Sequence, residues 1–331
     1  MDVNILTKEQ LNGLNAGQSV QGAVLMGKYT KKLTSGGKPY YDGYFQSMGA
    51  KCFFKCWSQS SAFTTLDNSD IMGKPIVAQF NTQDYQGNVS IVLDTVVVLD
   101  NVDPSVFLEI RYDANAYMQA LETLVKGNVS EKGFNIVQKI LFTEPLKTKF
   151  MLEFAATSHH DNCKSGLLAH TFKVVNMTVW LLQMYPSYIT RKNVNTGVLE
   201  PNQDIKDLIV ISALLHDIGK TVEMNMGVYQ PESIVTHNYL GTEFIAEYKN
   251  EIIESYSLDW YYNLIAVIQQ HHGEWGARPK TVYAYIIHQI DNLEAKMENL
   301  GEALLSNLEM DNLDSPIRQD DYHLTYNVKG S

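Results

Sequence analysis

The sequence lacks an apolar run of about 20 residues, the length that a helix needs to cross a bilayer. Apolar stretches such as Val89–Leu99 fall well short of it. The N-terminus, which reads MDVN, has neither the basic flank nor the apolar core of a secretory signal. These absences predict a soluble cytoplasmic protein with no membrane partner.

Cysteine and proline are also scarce, with three and nine residues in a chain of 331. Three cysteines exclude a framework of several disulfides. Cys52 and Cys56 lie in the strand-like run KCFFKCW rather than in a C-x-x-C pair, so we expect reduced, structural thiols. Because 45% of the residues are hydrophobic, the chain is expected to fold into two ordinary domains.

A basic excess is absent too, since the formal net charge is −11. This charge excludes a generally basic coat for nucleic acid, which needs clustered Lys and Arg. The acidic excess is uneven, because residues 1–105 contain eight Lys against nine Asp or Glu. The first part of the chain can therefore contact a polyanion, whereas the remainder needs cations to do so.

Residues 17–100 have the alternating and β-branched pattern of strands, interrupted by turns such as Ser35-Gly36-Gly37. Five strands in so short a span suit a small barrel or sandwich, and an OB-type barrel is the preferred architecture. The predicted strands are Ser19–Met26, Tyr40–Phe45, Lys51–Trp57, Pro75–Phe80 and Val89–Leu99.

From about Tyr112 the apolar period becomes helical. We predict a multidomain protein with an all-β, OB-like barrel at 1–105, an all-α domain at 106–310 and an irregular tail at 311–331. The polar stretch Pro186–Gln203 is expected to be a surface loop. The predicted helices are Ala114–Val125, Glu131–Leu141, Gly166–Tyr185, Ile205–His216, His237–Glu254, Asp259–His272 and Thr281–Leu304.

One apolar helix, ending in ISALLHDIGK, places His216 and Asp217 in its last turn before Gly219. An ionised carboxylate in such company is costly unless it pairs or binds a metal. Taken alone, the pair fits two alternatives equally well: a metal site, or a helix end at which the Asp is solvated and the His is hydrogen-bonded within the protein.

Other helices carry similar residues, which changes that balance. His170 and Asp291 lie on two further apolar helices, His237 begins another, and His271-His272 end one more. If these helices bundle around one point, their nitrogen and carboxylate ligands suit divalent Mn, Fe, Co, Ni or Zn. Such an ion polarises a phosphoryl oxygen and activates water, so the pattern predicts hydrolysis of a phosphate ester.

The order His, His-Asp, His, His, Asp resembles the signature of HD-domain phosphohydrolases. The motifs SHHDNCKSGLLAHT (158–171), ALLHDIGK (213–220), QQHHGEWGARPKT (269–281) and HQIDNLEAKM (288–297) resemble, more narrowly, the YhaM-type 3′-5′ exoribonucleases. That family joins an N-terminal OB fold to an HD domain, and GKPYYDGYFQ with KCFFKCW (37–57) resembles its OB portion.

The resemblance implies that His170, His216, Asp217 and Asp291 hold one metal ion, and that His237 and His271 complete a second site bridged by Asp217. It implies one or two ions, Mn²⁺ first, with Fe, Co, Ni, Zn or Mg as alternatives. The predicted catalytic residues are Asp217, Lys220, His237 and His271. Lys220 is expected to contact phosphate or, as the alternative, to neutralise a helix C-terminus in solvent. His160, His272 and His288 are further candidates for substrate binding or for supporting the ligands.

Aromatic and lysine residues crowd two predicted barrel strands, in the pattern by which OB folds stack bases and follow a phosphate backbone. Strand alternation sends about half of these rings into the core. The predicted strand-binding residues are Lys38, Tyr40, Tyr44 and Trp57.

The leading hypothesis is a metal-dependent phosphodiesterase that removes nucleoside monophosphates from the 3′ end of single-stranded RNA, with DNA as the second choice. One alternative keeps the metal site but acts on a cyclic nucleotide, a dinucleotide signal or a dNTP. Another is a single-strand-binding protein without catalytic turnover.

Overall fold

The computed structural model describes residues 4–156, 163–309, 317–319 and 322–324. The chain divides into two compact units, Met1–Arg111 and Tyr112–Ser331. No helix in these ranges is long and apolar enough to cross a membrane.

The first unit is a closed five-stranded barrel of the OB type, as the sequence predicts. The strand order is β1-β2-β3-β5-β4, in which β3 and β5 are parallel and the other neighbours are antiparallel. Two short helices, α1 and α2, were not predicted from the sequence. The elements are α1 (Lys8–Asn12), β1 (Ser19–Leu33), β2 (Pro39–Ser47), β3 (Ala50–Trp57), α2 (Ser61–Asn68), β4 (Pro75–Tyr85) and β5 (Asn88–Val98).

The barrel interior is filled by alternate side chains of each strand. Phe45, Phe54 and Phe80 are fully buried there, with ring centroids 5.0 and 6.0 Å from Phe45. Burial of one such ring contributes about 1.5–3 kcal/mol to stability. The same alternation leaves the neighbouring residues of β2 and β3 on the outside of the barrel.

The second unit is helical apart from three short hairpins among its described residues. Its helices are α3 (Ala114–Lys126), α4 (Glu131–Ile140), α5 (Leu146–Leu152), α6 (Gly166–Met184), α7 (Gln203–Leu215), α8 (Lys220–Glu223), α9 (His237–Ala246), α10 (Lys249–Ser255), α11 (Leu258–Gln270) and α12 (Val282–Glu309). The hairpins pair β6 (Thr190–Lys192) with β7 (Leu199–Pro201), β8 (Met224–Asn225) with β9 (Val228–Tyr229), and β10 (Ile317–Gln319) with β11 (Tyr322–Leu324).

Several details differ from the sequence-based expectation, and the first is that the short helices α5 and α8 were not predicted. The predicted loop at 186–203 contains the β6–β7 hairpin, and the tail predicted to be irregular contains β10 and β11. Strands of three residues are too short to show an alternating pattern. The helix predicted at His237–Glu254 is two helices, because the apolar period continues through a break that no glycine or proline marks.

Helix α7 lies at the centre of this unit, and all of Asp207–Leu215 is buried. A helix that is apolar on every side belongs in a core. At its start the buried carboxylate of Asp207 accepts hydrogen bonds from Gln203 Nε2 (2.7 Å), Tyr256 OH (2.6 Å), the Ser130 backbone N–H (2.8 Å) and the Ser130 hydroxyl. These bonds join α7 to the start of α4 and the end of α10. The other end of α7 therefore places His216 and Asp217 inside the core.

Candidate active site and barrel face

Five helical elements bring the six predicted metal ligands together. His170 lies on α6, His216 and Asp217 follow α7, and Asp291 lies on α12. His237 is the first residue of α9, and His271 directly follows α11. Two groups of ligand atoms result, each with its members within 4.8 Å of one another: His170, His216 and Asp291 form the first, and Asp217, His237, His271 and His272 form the second.

The first cluster is centred on His170 Nε2. This atom lies 3.2 Å from His216 Nε2 and 3.2 Å from Asp291 Oδ1. Asp217 Oδ2 lies 3.6 Å from it and 3.4 Å from His216 Nε2. Two imidazoles and two carboxylates therefore face one point.

The second cluster is centred on the other oxygen of the same aspartate. Asp217 Oδ1 lies 3.4 Å from His237 Nε2 and 3.4 Å from His271 Nε2. His272 Nε2 lies 2.8 Å from His237 Nε2. Because each oxygen of Asp217 faces a different cluster, the carboxylate is placed to bridge them.

The Nδ1 atoms of the four ligand histidines all have partners outside the clusters. His216 Nδ1 lies 2.8 Å from the Ala213 carbonyl and His271 Nδ1 lies 2.9 Å from the Ile268 carbonyl. A carbonyl oxygen only accepts, so each of these Nδ1 atoms carries a proton and each Nε2 offers a lone pair. His170 and His237 follow the same plan with carboxylates, donating from Nδ1 to Glu294 Oε2 (2.6 Å) and Glu223 Oε2 (3.0 Å). Orientation of this kind is typical of metal-binding histidines.

Two buried polar atoms of the second cluster, without hydrogen-bond partners in the described part of the chain, also favour a bound divalent ion. Asp217 Oδ1 and His271 Nε2 are buried, and neither has a hydrogen-bond partner among the residues that the structure describes. A buried polar atom without a partner costs about 1–3 kcal/mol, and more when it is charged. A cation between these two atoms removes that cost for both.

The charges of the site favour the same conclusion. Burial by itself raises the pKa of Asp217, but the neighbouring charge of Lys220 is the largest of the effects that outweigh burial and hold that pKa well below its usual range. Burial by itself also raises the pKa of Asp291, but the hydrogen bond with His170 leads the effects that outweigh burial and lower that pKa. Burial lowers the pKa of His272 to about 3, so this imidazole is neutral. The site thus presents ionised carboxylates and a neutral nitrogen donor at neutral pH.

Two more predicted residues lie beside the clusters. Lys220, the first residue of α8, places Nζ 2.6 Å from Asp217 Oδ2, and its side chain is only 12% exposed, so it is not a solvated helix-end charge. His288 lies behind the second cluster, where Nδ1 donates to the His271 carbonyl at 2.7 Å. Its ring occupies the space that a Cβ would take at Gly273, a residue with φ of +55°. His160 lies outside the described residues.

Glu294 and Glu223 are residues of the site that the sequence analysis missed. Glu294 follows Asp291 by three residues on α12, and Glu223 follows Lys220 by three on α8, so each shares a helix face with a predicted residue. This spacing was the available signal, but acidic residues at such spacing are also common on solvated helix faces.

A close approach of two backbones fixes His237 beside Asp217. A Cβ placed on Gly219, in the turn between α7 and α8, would overlap the carbonyl oxygen of His237 and the backbone nitrogen of Gly241. Any larger residue at position 219 would push α9 away. The absence of a side chain therefore sets the separation of the two ligands.

A cavity of about 450 Å³ opens beside the second cluster. Its size lies within the usual range for small-ligand sites. Lys220, His237 and His272 contribute an ammonium group and two imidazoles to its wall. The remaining lining is Ala155, Ala156, Glu223, Met224, Tyr229, Thr236, Asn238, Gln269, Gly276 and Ala277.

The barrel has an aromatic outer face on β2 and β3. Tyr40 pairs across the strands with Trp57, with ring centroids 5.2 Å apart, and Tyr44 pairs with Phe53 at 5.9 Å. Lys38 is exposed at the start of this face, just before β2. Tyr41, Phe45 and Phe54 are buried in the core, so strand alternation places part of the aromatic set inside the barrel, as expected.

Comparison with known proteins extends these observations. A model of the HD domain family matches residues 167–296. The 3′-5′ exoribonuclease YhaM of Bacillus subtilis (strain 168) is 27% identical over 300 residues, covering 87% of this chain and 88% of the relative. The 3′-5′ exoribonuclease YhaM of Bacillus velezensis is 28% identical over 302 residues, with the same coverage. Mitochondrial single-stranded DNA binding protein Rim1 of S. cerevisiae has 12% identity and a TM-score of 0.24, covering 27% of this chain and all of the other.

The match to the HD domain family includes His170, the His216-Asp217 pair and Asp291, so the helical unit carries an HD domain and the protein is an HD-domain hydrolase. More particularly, it is similar to the YhaM exoribonucleases over 87% of its length, and its OB-like barrel precedes its HD domain in the chain. The predicted family, fold class and enzymatic nature are confirmed.

Proposed function

We propose that the chain is a cytoplasmic, divalent-metal-dependent 3′-5′ exonuclease that shortens single-stranded RNA and releases nucleoside monophosphates. The observation that carries this proposal is the position of Asp217, whose two oxygens each face a separate cluster of imidazoles. With an oxygen toward each cluster, Asp217 would serve as a ligand of two metal ions, the kind of site that supports phosphodiester hydrolysis.

The ligands divide as the geometry suggests. His170, His216, Asp217 and Asp291 would hold the first ion, and Asp217, His237 and His271 would hold the second. Nitrogen and carboxylate donors suit Mn²⁺, and the same set accepts Fe, Co, Ni, Zn or Mg. When bound, the ions supply activated water and a polarised phosphoryl oxygen.

The chain's own groups complete the chemistry. Lys220 Nζ lies at the wall of the cavity and next to Asp217, where its positive charge contacts a phosphate oxygen and stabilises the charge that develops there. His272, a neutral imidazole on the same wall, donates or accepts a hydrogen bond to the bound phosphate. Asp217, Lys220, His237 and His271 are accordingly the proposed catalytic residues.

The barrel at 1–105 is proposed to hold the strand, and the HD domain at 106–310 to cleave it. Tyr40, Tyr44 and Trp57 lie half-buried on the outside of β2 and β3, where the exposed parts of their rings can contact bases, and Lys38 offers a charge for the phosphate backbone. Base stacking on such rings tolerates any sequence. RNA is preferred over DNA because both reported YhaM relatives are described as exoribonucleases.

The test uses 5′-labelled single strands of RNA and DNA with one sequence, carrying either a free or a blocked 3′ hydroxyl, incubated with purified protein and Mn²⁺. We expect a ladder that shortens from the free 3′ end of RNA, slower shortening of DNA and mononucleotide products. Asp217→Asn should abolish cleavage but keep strand binding. Asp204→Asn, an exposed residue of the same buried helix, is the matched control. Full activity of Asp217→Asn would refute the proposed site.

The size of the cavity favours one other function, because it suits a single free nucleotide as well as a strand terminus. A panel of cyclic nucleotides, dinucleotide signals and dNTPs separates this reading from exonuclease action. Consumption of the panel with intact RNA would replace the proposal. Intact substrates of both kinds, in spite of bound metal, would indicate a binding protein.

A further inference from the structure

Tyr229 is an exposed aromatic residue at the wall of the cavity beside the second cluster. Tyr229 is 54% exposed. Its side chain makes no hydrogen bond or ring contact with any residue that the structure describes. We propose that Tyr229 stacks on the base of the nucleotide whose phosphate lies at Lys220 and His272. This inference rests on the proposed function and names the binding site for the terminal base.

The hairpin that carries Tyr229 is held rigidly. The turn between β8 and β9 uses positive φ at Met226 (52°) and Gly227 (74°). The buried carboxylate of Glu153 accepts hydrogen bonds from the Gly227 N–H at 2.8 Å and the Met226 N–H at 3.1 Å. A Cβ on Gly227 would contact the ring of Phe154. The hairpin is therefore docked on the helical unit by its turn, and the ring of Tyr229 is not needed to hold it.

A second link joins the hairpin to the metal ligands. The Gln230 backbone N–H, directly after Tyr229, donates to the Glu223 carbonyl at 2.9 Å. The side chain of the same glutamate accepts from His237 Nδ1 at 3.0 Å. Tyr229 is thus fixed relative to His237 through one residue, which is the arrangement needed to place a base at a constant distance from a reacting phosphate.

The composition of the cavity agrees with a nucleotide. Lys220, His237 and His272 of its wall suit a phosphate, whereas Ala155, Ala156 and Met224 are apolar and suit the body of a base. The carboxylate of Glu223 also lines the cavity, where it accepts from His237 Nδ1 at 3.0 Å. A base packed against an aromatic ring gains about 1–3 kcal/mol by stacking, which is a factor of roughly 5–150 in affinity. Since every base has a ring face, stacking on Tyr229 would operate without regard to sequence.

The experiment compares the binding of adenosine 5′-monophosphate with that of ribose 5-phosphate, which lacks the base. Both are titrated by calorimetry into the full-length protein loaded with Mn²⁺. Wild type should bind the nucleotide about 5–150-fold more tightly than the sugar phosphate. Tyr229→Ala should remove most of this preference and leave the affinity for ribose 5-phosphate unchanged, whereas Tyr229→Phe should keep the preference.

Tyr262→Ala serves as the matched control, because Tyr262 is 53% exposed on α11 and does not line the cavity. It should keep the wild-type preference. Equal binding of the two ligands by wild type, no measurable binding of the nucleotide, or a full preference in Tyr229→Ala would overturn the inference. Failure of the proposed function looks different, because RNA would stay intact while the base-dependent binding persisted.

Discussion

Glu294 links His170, a proposed metal ligand, to the half-buried Lys173. Its Oε2 accepts the Nδ1 proton of His170 at 2.6 Å, and its Oε1 lies 3.3 Å from Lys173 Nζ. Lys173 in turn pairs with Glu298 at 2.7 Å. The charge of Glu294 therefore reaches His170 through one hydrogen bond and fixes which nitrogen faces the first cluster.

Replacement of this carboxylate should weaken metal binding. Glu294→Gln keeps the shape of the side chain but removes its charge, so we expect metal affinity to fall by about tenfold, the lower end of the effect of such outer partners. Calorimetric titration with Mn²⁺ measures the change. Glu298→Gln is the control, because Glu298 contacts Lys173 and Tyr112 and should leave the affinity near that of wild type. Equal affinities for wild type and Glu294→Gln would contradict the orienting role.

Removal of the metal should lower the melting temperature of the helical unit. Asp217 and Asp291 are both ionised and face one point, so a cation would relieve their mutual repulsion. Saturation at about 100 times the dissociation constant adds about 2.7 kcal/mol, which corresponds to a rise of about 5–10 °C. Thermal melts after chelation and after addition of Mn²⁺ measure it. Asp217→Asn should lose most of this metal-dependent rise, and a full rise in that variant would show that the ion binds elsewhere.

Loss of a ring from the barrel face should weaken strand binding. In an Asp217→Asn background, which prevents cleavage, Tyr44→Ala or Trp57→Ala should cost about 1–3 kcal/mol in the binding of single-stranded RNA. Fluorescence anisotropy with a labelled strand measures the affinity. Val97→Ala removes an exposed apolar side chain from another strand of the barrel and should leave binding unchanged. If all three variants bind alike, the strand lies elsewhere.

The carboxylate at the start of α7 should be essential for stability. Asp207→Ala leaves several buried donors, including Tyr256 OH and the Ser130 N–H, without their acceptor. We expect a loss of about 3 kcal/mol, since removal of one partner from a buried charged network is costly. Asp204→Ala, on the exposed side of the same helix, should cost less than about 1 kcal/mol. Thermal melts of the two variants compare them directly, and similar melting temperatures would exclude the proposed role of Asp207.

The sequence predicted the parts of this structure that repeat locally. Strand alternation predicted that about half of the barrel rings lie in the core, and the helical period located the helices that carry His170 and Asp291. Helices α1, α2 and α5 are too short to show a period above background. Glu294 and Tyr229 could not be identified, because their significance depends on which distant residue each one faces.

The contact at Gly219 has a consequence for variation in this chain. Since a missing side chain places His237 beside Asp217, even alanine at position 219 would lengthen the gap between two ligands while leaving every ligand in place. The site therefore constrains the sequence beyond its metal-ligating residues, because Gly219 cannot be replaced although it has no reactive side chain. A Gly219→Ala chain would retain all the residues of the signature but would hold His237 away from its place beside Asp217.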